Sequence, residues 1–245
     1  MIRSCEVLIL ILALTFDSHV QTGEIYRGHE AVPHSRPYMV LLASHKEDGG
    51  KSICGGFILN EDFVMTAAHC QAKNQTVLLG FHNTRNRKIK IHVEKAFPHK
   101  DFNATYYGND LMLLKLSSKI KFSKDVGSIA LPGQDDGSLP KSCSVSGWGQ
   151  PDRTSTKKFS EMLMEANVTL IGMKNCPQRK SYCSEGETGP GEFDAGGPLV
   201  CEDRKAYGVV TFSMNKKSGR HIYSYAKITD YKRWIDRIIK NHGKL

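Results

Sequence analysis

Beyond its first two dozen residues the chain has no apolar run long enough for a membrane helix. It has no internal repeat and no long low-complexity linker, so nothing marks it as a repeat array or as modules on a tether. No paired short Cys/His spacing supports a zinc site, and no motif calls for another metal or a cofactor. Acidic residues are scarce: 25 Asp and Glu stand against 34 Lys and Arg, for a formal net charge of +9. That imbalance favours polyanionic partners: sulfated glycans, nucleic acid or an acidic membrane face. Charge alone does not choose among them. No nucleic-acid reading motif accompanies the charge.

What is present is ordinary for a folded chain: 245 residues, 40% hydrophobic and 24% charged. That length buries a core as one unit or as two fused halves. The first residues read as a secretory signal, with Arg3 followed by the short apolar run Val7 to Phe16. Polar Asp17, Ser18 and His19 argue against the alternative, a buried N-terminal helix. Cleavage near Thr22 sets the signal at 1–22, and loss of the prefix through Glu24 raises the net charge to about +11. Cys5 goes with the signal. Cys54, Cys70, Cys143, Cys176, Cys183 and Cys201 remain, an even number that suggests three disulfides in an oxidising compartment. Sequons at Asn74, Asn103 and Asn167 add to the picture of a glycoprotein that is secreted or stored in secretory granules. Asn167 lies in a strand-like run, which argues against access to it.

Many short apolar runs separated by Gly, Pro, Asn and Asp indicate an all-β chain. Ile89 to Val93 alternates apolar and polar, as a half-buried strand does; Phe57 to Leu59, Leu111 to Leu116 and Gly208 to Val210 read as further strands. The tail changes period. Tyr231, Trp234, Ile235, Ile238 and Ile239 form one apolar helix face, with Thr229 or Asp230 as the expected cap. Lys232, Arg233, Arg237 and Lys240 take the outer face. Pattern alone fits two packed barrels or a large sandwich.

Five segments occur in one order: Cys54-Gly55-Gly56, Thr66-Ala67-Ala68-His69-Cys70, Asn109-Asp110 through Leu116, Cys143 through Gly149, and Asp194-Ala195-Gly196-Gly197-Pro198. Together they resemble the trypsin/chymotrypsin family of serine peptidases along nearly the whole mature chain. The opening from Gly28 to Met39, and Gly23-Glu24 before Ile25, resemble the granzyme and mast-cell protease branch. The resemblance implies a double six-stranded β-barrel with a C-terminal helix and a cleft between the halves. It places an activation dipeptide at 23–24 and a peptidase-like domain at 25–245, divided into barrels of about 25–122 and 123–245. It also implies the disulfides Cys54–Cys70, Cys143–Cys201 and Cys176–Cys183, one choice among the fifteen that six cysteines allow.

Acyl transfer by such a triad needs a nucleophile, a base and a carboxylate that orients the base. By resemblance His69 is the base and Asp110 the carboxylate, and the nucleophile position holds Ala195. A methyl group has no lone pair with which to attack. Ser184, Thr188 and Ser213 carry hydroxyls nearby in sequence, and each reads as an ordinary surface-loop residue. Phe193 stands where the family's oxyanion loop has glycine, so a turned peptide or a covered hole is expected. Gly189 falls where trypsin-like members place an aspartate. Thr211-Phe212-Ser213 replaces the usual Ser-aromatic-Gly wall, and Tyr223 replaces a pocket glycine, so the specificity pocket is expected to be narrowed or plugged. Ile25 and Asp194 match the buried activation pair, although Tyr26-Arg27 departs from the usual sequence and is expected to weaken insertion. Several departures around one site fit natural divergence better than a single laboratory change of serine to alanine.

Arg85, Arg87, Lys88 and Lys90 form a basic run suited to a sulfated proteoglycan such as heparin. Three functions remain open from sequence. The first is a non-catalytic homologue that binds a protein ligand in its cleft. The second is an active endopeptidase of the granzyme type, and the third is a proteoglycan-bound cationic granule protein.

Overall fold

The computed structural model describes residues 25–45, 51–133, 138–150, 159–215 and 220–243. The expected signal and activation dipeptide lie outside them. A short strand β1 (His29–Glu30) is followed by β2 (Met39–His45), β3 (Lys51–Ile58), β4 (Phe63–Thr66), β5 (Thr76–Leu79), β6 (Ile89–Pro98) and β7 (Met112–Leu116). Strands β2 to β7 close into an antiparallel barrel of order β2-β3-β4-β7-β6-β5. Its interior is filled by β-branched, aromatic and long aliphatic side chains such as Val40, Phe57, Val64 and Leu114, all fully buried. In β6 the predicted alternation is partial: Ile91 points inward, while Ile89 remains 48% exposed.

The second half holds β8 (Cys143–Gly147), β9 (Met164–Val168), β10 (Leu170–Ile171), β11 (Ser181–Gly186), β12 (Pro198–Val200), β13 (Ala206–Asn215) and β14 (His221–Lys227). Their sheet runs β1-β9-β8-β12-β13-β14-β11-β10. Only Thr169 separates β9 from β10, so the two act as one bent strand. It pairs with β8 through one part and β11 through the other. The sheet thereby returns on itself as six strands, with β1 added at β9.

The halves exchange ends. Ile25 and Tyr26 join the second barrel's apolar core, and β1 joins its sheet. Helix α1 (Lys232–His242) returns to the first barrel, where Trp234, Ile235, Ile238 and Ile239 pack against that core. The expected cap is replaced: a 3-10 turn over Ile228–Tyr231 precedes the helix and makes Tyr231 its N-cap, with no side-chain capping bond. The three disulfides are Cys54–Cys70, Cys143–Cys201 and Cys176–Cys183. Among the described residues no helix is long and apolar enough to cross a membrane.

Candidate active site and binding cleft

Strand β4 delivers His69 in a 3-10 turn, Ala68–Cys70, and the Cys54–Cys70 disulfide ties that turn to β3. Asp110 lies just before β7 and is buried. Its Oδ2 is 2.7 Å from His69 Nδ1, and its Oδ1 accepts the His69 backbone N–H at 2.9 Å. One carboxylate therefore fixes both the ring and the backbone of the imidazole. The preceding Asn109, at φ 55°, donates Nδ2–H to Asp101 O and accepts the Tyr231 hydroxyl at its Oδ1. The lead-in to the C-terminal helix thus braces the Asp110 loop. Thr211 gives its hydroxyl to Ser224 O at 3.0 Å rather than to Asp110.

Ala195 reaches the same place from the second barrel. Its carbonyl accepts Gly55 N–H at 2.8 Å and stands 3.8 Å from Cys70 Sγ, beside the residue that follows His69. The His69 imidazole and the Asp110 carboxylate are joined, and Ala195, whose carbonyl lies beside the end of the His69 turn, ends in a methyl group.

Phe193 adopts φ 76°, in the left-handed region that glycine enters freely and other residues enter at a cost. Its ring goes sideways onto Phe159, with centroids 4.5 Å apart. Phe193 and Ala195 both line a cleft of about 540 Å³, and among the described residues neither N–H has an acceptor. Backbone N–H groups without an acceptor on a cleft wall suit a ligand carbonyl.

The pocket region is rebuilt. Tyr223 is fully buried, its ring lies over Gly189, and its hydroxyl donates to Glu187 O. Thr211 and Ser213 line the cleft; Tyr223 stands behind it. The space is a recess beside Ala195, and an aromatic ring lies next to Gly189. Tyr107 is absent from the sequence candidates, and Phe212 enters them only as the middle of the Thr211–Ser213 wall. Tyr107, at φ 51°, meets His69 edge-on with centroids 5.4 Å apart and stacks on Phe212 at 5.5 Å. Two aromatic residues immediately upstream of Gly108-Asn109-Asp110 were the available signal.

Asp194 is buried against two glycines. Gly149 N–H donates to Oδ1 at 2.7 Å and Gly191 N–H to Oδ2 at 2.8 Å. A Cβ on Gly147 would stand 2.0 Å from Oδ1, so only glycine fits there. Burial pushes the carboxyl up to about 7 against the opposing pull of the two N–H donors. Ile25 is also fully buried, at φ 89°. No ion pair joins Ile25 to Asp194 among the described residues, because the nitrogen of Ile25 is a peptide nitrogen in the uncleaved chain. In the uncleaved chain the unusual segment is held locally: Arg27 takes φ 56° and pairs with Glu187, and Gly189 N–H donates to Tyr26 O.

The remaining candidates scatter. Ser184 is not a surface-loop residue; it is buried in β11 and bonded to the Tyr225 hydroxyl at 2.8 Å. Ser213 is exposed in β13, and Thr188 lies in the loop after β11. In the basic run, Arg85 pairs with Glu161, and Lys88 donates to Thr84 O and Asn86 O. Arg87 and Lys90 are exposed and have no acidic partner among the described residues. Asn74, Asn103 and Asn167 are all exposed; Asn167 sits on the outward side of β9, which reverses the expectation that its strand hides it. The only group of His, Cys, Asp or Glu atoms close enough to suggest a metal, among the described residues, is Cys54, His69 and Cys70. Both cysteines are spent in a disulfide, so this is no metal site.

Comparison with known proteins matches the Trypsin family model over residues 25–235. Granzyme E of Mus musculus is 38% identical over 95% of this chain and 98% of the relative. Granzyme B of Homo sapiens is 35% identical over 97% and 100%, and cathepsin G of Homo sapiens 34% over 94% and 93%. A solved structure described as "Structure of GrC" superposes with a TM-score of 0.75 at 33% identity, covering 87% of this chain and 98% of that one.

Proposed function

Because the chain belongs to the trypsin family of serine peptidases, in its granzyme-like branch, we propose that it is a secreted or granule-stored member that has given up acyl transfer and acts by holding a protein ligand in its cleft. The carrying observation is the pairing of an assembled His69–Asp110 couple with a methyl group at Ala195. A carbon that cannot attack forms no acyl-enzyme, and a triad lacking one member keeps only about 10³–10⁴-fold acceleration over water, from binding and the oxyanion hole. The groups that would hold an extended chain remain: free N–H groups at Phe193 and Ala195, and the aromatic wall of Tyr107 and Phe212. Suitable ligands are substrates or inhibitors of related peptidases.

The test is labelling with a fluorophosphonate, which requires an activated serine, alongside capture of ligands from secretion-competent cells. No labelling together with a captured protein that competes with a cleft-directed peptide is the expected result. Labelling within the cleft would favour the alternative, an active endopeptidase.

A second reading is binding of sulfated proteoglycan, favoured by exposed Arg87 and Lys90 and by the net charge of +9. With Arg85 and Lys88 engaged locally, Arg87 and Lys90 carry the larger share. Heparin-column retention is expected to fall when all four are neutralised, with most of the loss already present in the Arg87/Lys90 pair. Unchanged elution would place the site elsewhere.

A further inference from the structure

The cleft does not end at the aromatic wall. Past Tyr107 and Phe212 a second hollow of about 360 Å³ includes Tyr106, Pro177 and Gln178 in its lining. Those three residues also line a third, of about 690 Å³, which continues to Asn103, Arg179 and Lys180. The cleft and the second hollow share Phe212, and the second and third share Tyr106, Pro177 and Gln178, so the three lie in a row, a stepped trough whose third part Asn103 lines. Neither Asn74 nor Asn167 lines any part of it.

Asn103 is the first residue of the sequon Asn103-Ala104-Thr105, and all three residues are exposed. Its Oδ1 accepts the N–H groups of Thr105 at 2.9 Å and Tyr106 at 3.1 Å. This Asx turn occupies the oxygen and leaves Nδ2, the atom that takes a glycan, uncommitted among the described residues. The surface beside it suits a sugar. Tyr106 presents an aromatic face that is 72% exposed, and Gln178, Arg179 and Lys180 supply donors.

We propose that Asn103 carries an N-linked glycan whose first sugars lie in the far hollow against Tyr106, closing that end of the trough. The glycan limits how far a cleft ligand extends past Tyr107 and covers an aromatic residue that the protein fold leaves bare. The proposal concerns the modification itself and stands apart from what the cleft binds.

The experiment uses full-length protein secreted from mammalian cells. Enzymatic deglycosylation converts a modified Asn to Asp, and peptide mapping reads occupancy at position 103. Nitration of Tyr106, read by the same mapping, then compares the glycosylated chain with Thr105→Ala and Asn103→Gln. Thr105→Ala removes the sequon while keeping the Asx turn, because its backbone N–H is retained. Occupancy at Asn103 with severalfold slower nitration of Tyr106 than in both variants is the expected result. An unmodified Asn103, or nitration at equal rates in glycosylated and glycan-free chains, overturns the proposal. Asn167→Gln serves as the control and is expected to leave Tyr106 nitration unchanged.

Discussion

A Cβ placed on Gly189 would stand 2.5 Å from Cε2 of Tyr223, so the tyrosine ring already fills the space a side chain at 189 needs. The two positions are therefore coupled. Gly189→Ala alone should destabilise by about 1–3 kcal/mol through overpacking. Tyr223→Ala should cost about 3–5 kcal/mol through the cavity it leaves. The double variant should be less destabilised than the sum, since each change relieves the other. Urea denaturation of the four proteins checks this; additive effects would mean that the ring and the glycine do not compete for space.

Phe193 offers a test of backbone strain separate from catalysis. At φ 76° a Cβ is unfavourable by about 1–2 kcal/mol, whatever the ring does. Phe193→Ala loses the contact with Phe159 and keeps the strain, whereas Phe193→Gly loses both. The glycine variant should be more stable than the alanine variant by about 1 kcal/mol, the reverse of the usual order. Equal melting temperatures would show that the loop relaxes.

The buried carboxyl of Asp194 predicts a pH signature that changes on processing. An unfolded aspartate ionises near 3.9, while in the uncleaved native chain burial raises this one to about 7. Between those values the native state holds the extra proton, so this group's contribution to stability declines as pH rises from about 4 to about 7. Cleavage after Glu24 frees an α-amino group at Ile25. Pairing with Asp194 would lower that pKa and restore stability at neutral pH. Processed protein should therefore melt higher than uncleaved protein at pH 7.5, with the gap closing below pH 5. Asp194→Asn should abolish the difference. A constant gap across pH would mean the two groups do not meet.

If the missing nucleophile is what silences the site, Ala195→Ser should gain fluorophosphonate labelling that the parent lacks. The gain should need the base: in a working triad, losing the histidine alone costs about as much as losing all three members, roughly 10⁶-fold in the subtilisin reference. Ala195→Ser/His69→Ala should thus label no faster than the parent. Peptide turnover by Ala195→Ser should stay low, because the ring of Tyr223 fills the space beside Gly189. No labelling in Ala195→Ser would shift the cause of silence to the Phe193 loop.

The parts legible in the sequence were those set by local pattern or by motif. Phe57, Leu113 and Val209 lie in strands as their apolar runs require, and Trp234 and Ile235 lie on the helix face that packs. The motifs around His69 and Asp110 mark two side chains, 41 residues apart, that the fold brings into hydrogen-bond contact. What stayed hidden depends on residues far apart in the chain. The partner of Arg85 is Glu161, 76 residues away, so half the basic run looked freer than it is. Tyr107 becomes a wall only because Phe212 arrives from the other barrel. Neither Thr229 nor Asp230 caps the helix, because the 3-10 turn places both ahead of the capping position. Thr229 Oγ1 ends buried with no partner. Ser184 looked like loop because one buried hydroxyl bonded to Tyr225 leaves no trace in composition.

The exchange of chain ends has its own consequence. A cut near residue 122 would leave the first fragment carrying β1, a strand that belongs to the second sheet, and the second fragment carrying α1, which belongs on the first barrel. Neither piece could cover its own apolar face. Supplied together, the fragments would recognise one another as reciprocal clasps, so halves that look like two modules should fold only as a pair.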